Sequence, residues 1–207
     1  MDLVNFNWKR DPEGYEVRDE HLNPQTGNLD DGPANPRKFT WRTLRGRSAR
    51  LETIRPLDGS RALFVELARA DHGEMGAIAF VNEFGPLSRT SPVTMEVWPI
   101  AVIGMSAALG IARNPNKFRD NWNEISYRVQ GVRIKLGPNL EFRLTPDSLI
   151  SAAHLQLALH VASGGQLHTC DYCSKPFVSG TNTRRRKTAK YCGKPCRQRA
   201  WRQSQTA

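Results

Sequence analysis

Four cysteines set the tightest limit on what this chain can become. They fall in two pairs, Cys170-Asp171-Tyr172-Cys173 and Cys192-Gly193-Lys194-Pro195-Cys196, with 18 residues between them. A gap of two or three residues lets both sulfurs of a pair reach one ion from a tight turn, and two such turns supply the tetrahedral shell that zinc prefers. The spacing therefore predicts one structural Zn2+ per chain, held by Cys170, Cys173, Cys192 and Cys196. The competing reading is four unconnected buried thiols. A complete four-cysteine shell leaves no position for water, so the ion is expected to support the fold and not to catalyse. His168, two residues before Cys170, is a substitute ligand that a full shell does not need.

The stretch after the last cysteine, Arg197-Gln198-Arg199-Ala200-Trp201-Arg202, is a good helix former whose N-terminal amides would face the thiolates. Trp201 is expected to pack under the ribbon, with stacking on a base as the alternative. Knuckle, hairpin and helix in this order describe a treble-clef-like zinc ribbon.

The charge is placed unevenly. The chain of 207 residues has a formal net charge of +10, yet Gln166 to Ala207 holds ten Lys and Arg against one acid, Asp171. The first 165 residues, with 20 basic and 19 acidic side chains, are nearly neutral. Such asymmetry points to an acidic partner met by the tail. Arg184-Arg185-Arg186-Lys187 lies in the middle of the hairpin, and Lys190, Arg197, Arg199 and Arg202 add a second set. Guanidinium groups form paired bonds to phosphate, so these eight residues are the candidate nucleic-acid contacts. A solvated charged loop is the plainer alternative.

The first ten residues lack the basic start and apolar core of a signal peptide. The apolar stretch from Trp98 to Ile111 is too short, and too broken by Gly104 and Gly110, to span a bilayer. A reducing cytoplasm is expected, where paired cysteines read as metal ligands more readily than as disulfides.

Organisation follows from pattern. Residues 1–40 are polar and rich in turn formers and are expected to be irregular or flexible; 41–164 form a mainly helical body; 165–207 form the basic ribbon. Within the body, Phe39, Trp41 and Leu44 suggest a first strand, and Ser60 to Ala70 a short helix with Leu63, Phe64, Leu67 and Ala68 on one face. A second helix, capped by Asp71 and stopped at Gly85-Pro86, would show Met75, Ile78, Ala79 and Val81 at helical spacing. Val97 to Ala112 gives a third. Val132, Ile134 and Leu136 followed by Gly137-Pro138-Asn139 and by Leu140, Phe142 and Leu144 read as a β-hairpin, with Arg133, Lys135, Glu141 and Arg143 on its wet face. Thr145-Pro146-Asp147-Ser148 has helix-start chemistry, with Pro admitted in the first turn. Leu149 to Ala162, apolar on nearly all sides, would be the buried spine, ended by Gly164-Gly165. The expected class is α+β.

Several of these residues also carry a resemblance. Thr145, Pro146, Ser148, Leu149 and Leu155-Gln156-Leu157-Ala158, then Cys170-xx-Cys173-xxx-Phe177 and Tyr191-Cys192-xxx-Cys196-Arg197-Gln198-Arg199-Ala200, resemble bacterial proteins with a C-terminal zinc ribbon behind a helical body. The CGNR zinc-finger proteins, whose body is called the ABATE domain, are the described group most similar to it. Ile78 to Leu87 is similar to a segment of that body. The Cys-Gly-Asn-Arg tetrapeptide itself is absent. The resemblance implies a finger that binds DNA.

No nucleophile–base–orienter set, P-loop or dinucleotide fingerprint is present. His154 and His160, six residues apart, do not share a helix face and read as core or edge residues. His72 and Glu74 read as a cap and a solvated pair. A non-enzymatic, zinc-dependent, nucleic-acid-binding protein is therefore expected. DNA stands ahead of RNA, transcriptional regulation is the expected role, and the helical body is the candidate surface for a homo-oligomer. An RNA-binding protein tied to translation or toxicity, and a ribbon that only holds a partner protein, are the alternatives.

Overall fold

A computed structural model of the chain describes residues 6–21, 40–57, 62–88, 93–114, 131–136, 142–180 and 186–205. Among these, helices and short strands are mixed. In chain order come β1 (Trp8–Arg10), β2 (Tyr15–His21), β3 (Thr40–Gly46), β4 (Glu52–Ile54), α1 (Leu63–Arg69), α2 (Glu74–Phe84), β5 (Val93–Thr94) and α3 (Val97–Ala112). Then follow β6 (Val132–Leu136), β7 (Phe142–Pro146), α4 (Leu149–Ala162), β8 (Gln166–Thr169), β9 (Pro176–Ser179) and α5 (Lys194–Ser204).

The described part of the N-terminal segment is not irregular. β1 pairs antiparallel with β4, setting Trp8 opposite Ile54, and β2 pairs antiparallel with β3, setting Val17 opposite Leu44. β5 extends the second sheet from the far side of β3. Trp8 is fully buried, stacks on Phe6 at 5.2 Å and donates its indole N–H to the Pro86 carbonyl at 2.9 Å. Gly85, at φ 82°, ends α2 beneath that indole; a Cβ there would lie 2.7 Å from Trp8 Cδ1. The turn-rich polar composition hid these strands because each finds its partner 19 or more residues away along the chain.

The helices bury their apolar stripes against one another and against these sheets. α1 buries Leu63, Phe64, Val65 and Leu67. α3 and α4 have the bounds the sequence predicts. Ser148 caps α4, its hydroxyl accepting from the Ser151 amide at 3.1 Å, while Pro146 ends β7 and lies outside the helix. α2 departs from expectation in two ways. Its cap is Gly73, whose amide donates to the Asp71 carboxylate at 2.7 Å, and its buried face is Ala77, Phe80, Val81 and Phe84. Met75 is 77% exposed. The i, i+3, i+4, i+7 set with the two aromatic rings won the core because it removes more apolar area from water.

The β6–β7 hairpin forms as predicted, pairing Ile134 with Leu144 and Leu136 with Phe142. Its apolar face is covered only at the Val132–Pro146 end: Ile134, Leu136 and Phe142 are exposed alongside Arg133 and Lys135. Glu141 and the predicted turn at 137–140 lie outside the described residues. Among the described residues, no helix is long and apolar enough to cross a membrane.

Candidate metal centre

The β8–β9 hairpin delivers the first cysteine pair. Gln166 pairs with Ser179 and His168 with Phe177. Leu167 and Val178 pack against the body core, so the hairpin is seated on the body through its apolar side. Phe177 and Cys170 are both 1% exposed and lie inside the module. His168 does not point to the cysteines. Its ring stacks on Phe177 at 5.2 Å and its Nε2 lies 2.7 Å from the Ser179 hydroxyl.

The turn after β8 is tight. Ser174 donates its amide to the Cys170 carbonyl at 2.9 Å, and Cys170 donates to the Lys175 carbonyl at 3.0 Å. Closing that loop places Ser174 at φ 55°, a left-handed conformation seldom used by a residue with a Cβ. The second pair is tied to the first by the Asp171 amide, which donates to the Lys190 carbonyl at 3.0 Å. α5 then starts at Lys194 with Pro195 in its first turn, so Cys196 sits inside the helix start.

These turns bring the four sulfurs together. All lie within 4.8 Å of one another, with Cys173 Sγ 3.7 Å from Cys192 Sγ and Cys192 Sγ 3.5 Å from Cys196 Sγ. A zinc ion with Zn–S bonds of about 2.3 Å sets its ligand sulfurs about 3.8 Å apart, so the set fits such an ion. Among the described residues, these four cysteines form a group of side chains placed to hold a metal ion.

The local electrostatics suit a cation. Burial pushes the Cys170 thiol up, but the amides of Cys173, Cys192 and Tyr172 bond to its sulfur and hold it at about 6. Cys192 is pushed up to about 12, first by burial and then by the neighbouring sulfurs. At Cys196 the bond with Cys192 pulls down, yet burial and the Cys173 and Cys170 sulfurs raise it on balance. One thiolate is thus strongly favoured, and further negative charge is opposed by the first. A divalent ion among the four reverses that opposition. The start of α5 adds a positive dipole end beside Cys196.

Arg186, Lys187, Lys190, Arg197, Arg199 and Arg202 are all exposed, and Arg184 and Arg185 lie outside the described residues. Trp201 is not core: it is 63% exposed, and α5 buries none of its residues. So small a module has no second layer beneath the helix to receive an indole. Elsewhere, His154 is buried in α4 and His160 packs against Phe64. Glu74 pairs with Arg42, and His72 is exposed. Compared with protein-family models, curated proteins and solved structures, the chain matches none.

Proposed function

We propose that this chain is a zinc-binding, nucleic-acid-binding protein: a DNA-binding transcriptional regulator of the bacterial cytoplasm, without enzymatic activity. In this reading its C-terminal module is a treble-clef-like ribbon of the kind seen in the CGNR proteins it resembles, and the body serves for sensing or self-association. The observation that carries the reading is α5 itself. It carries a metal-ready cysteine in its first turn, presents Lys194, Arg197, Arg199 and Arg202, and has no buried residue. No Asp or Glu side chain follows Asp171 in the chain, so these cations have a polyanion, and not a neighbouring carboxylate, as their natural counter-charge.

The experiment is a fluorescence-anisotropy titration of the zinc-loaded protein with duplex DNA across salt concentrations. Contacts to five or six phosphates give a log–log slope near about −5. Changing Arg184, Arg185 and Arg186 together to Ala should flatten it by about two to three and weaken all sequences alike. An unchanged slope after the triple substitution would leave the phosphate contacts to α5, and failure of the parent protein to bind duplex DNA at all would favour a ribbon that holds a partner protein.

A further inference from the structure

The ribbon leaves one large aromatic side chain in water at the centre of its positive charge. On α5, Lys194, Arg197 and Trp201 fall at i, i+3 and i+7, and so share a face. Gln198 and Arg202 flank that face. Cys196 and Ala200, the two partly covered residues of α5 before Trp201, lie off that face. Trp201 is 63% exposed between these cations. Among the described residues, Lys194, Arg197 and Arg202 stand in no ion pair. The exposed Ile100 and Ile103 differ, because α3 carries no charged residue at all.

Phosphate needs only cations, and an indole adds nothing to that attraction. What a ring face adds is a surface for a nucleobase, and every base has a π-face to offer. In a duplex that face is covered by the neighbouring pairs. In an unpaired strand it is free. We propose that Trp201 is a stacking platform for an unpaired base, with Lys194, Arg197 and Arg202 on the flanking phosphates, so that α5 binds single-stranded nucleic acid. The inference rests on the nucleic-acid reading above and adds to it a preference of α5 for stretches whose bases are open.

The test uses the full, zinc-loaded chain and three probes: an oligothymidylate and an oligouridylate of about 20 nucleotides each, and a duplex DNA of matched length. Trp201→Ala should weaken binding to the single strands about ten-fold or more while leaving the salt slope unchanged. Trp201→Phe should recover part of the loss, and duplex affinity should move less than about two-fold. The two single-stranded probes separate DNA from RNA as the source of the base. Since Trp201 is mostly exposed, zinc content and helical circular dichroism should match those of the parent protein. Equal weakening on duplex and single strands, or no effect on either, would overturn the stacking role while leaving nucleic-acid binding intact. Failure of the parent protein to bind any of the three probes would remove the broader reading together with it.

Discussion

Cys173 and Cys192 stand 3.7 Å apart, sulfur to sulfur, although 18 residues separate them in the chain. Their approach depends on two other contacts: the β8–β9 pairing, and the Asp171 amide on the Lys190 carbonyl. β9 thus runs back along β8, and the bond at Lys190 sets the second pair beside the first. α5 hangs from this junction through Cys196 and buries nothing else. An isolated helix of 11 residues is marginal in water, so α5 should depend on the ion for its order. Zinc removal by a chelator should therefore lower helical circular dichroism by about one short helix and leave the Trp98 and Trp8 core signals in place.

Ser174 offers a stabilising substitution. At φ 55° a residue with a Cβ costs about 1–2 kcal/mol relative to its preferred conformations. Ser174→Gly should remove most of that strain and tighten zinc retention against a competing chelator. Ser174→Val should do the reverse, since β-branched residues tolerate this region least.

Asp11 links the β1–β2 and β3–β4 connections. Its carboxylate accepts from the Ser48 amide at 2.7 Å, the Ser48 hydroxyl at 3.1 Å and the Glu13 amide at 2.8 Å. Burial pushes its pKa up, but these bonds outweigh that and hold it below the ordinary 3.8. The folded value is depressed, so the stabilisation is fully present above the unfolded value and is lost as pH falls through the folded one. Asp11→Asn should destabilise the protein at neutral pH by about 1–3 kcal/mol. The loss should shrink below pH 4 in thermal melts, where the parent protein has surrendered the same contribution.

Trp8 tests whether the N-terminal strands belong to the core. It is fully buried and bonded to Pro86, 78 residues away. Trp8→Ala should cost about 3–5 kcal/mol in denaturant unfolding. A change below 1 kcal/mol would mean that β1 is not seated there.

The parts of the fold legible in the sequence were those written in local pattern. α3 and α4 are continuous apolar runs, and Ser148 and Gly164 bound the second of them as residue type predicts. The cysteine cluster was legible because two-residue and three-residue spacings are themselves geometry. What escaped depends on distant partners. Trp8 looks like one aromatic in a polar stretch until β4 and Pro86 are placed beside it. Met75 and Phe80 both fit helical spacing in α2, and only the packing of Phe80 against Phe84 and Trp98 chooses between faces. Trp201 escapes for the opposite reason: its size suggests a core, and the structure leaves it 63% exposed.

Everything proposed for the C-terminal module depends on the ion, and elemental analysis of the purified, reduced protein measures it directly. One zinc per chain is the expected result, reduced on Cys173→Ser together with loss of the α5 helix and retention of the body's cooperative unfolding. A folded, reduced protein that carries no metal, and binds none when zinc is supplied, would contradict it.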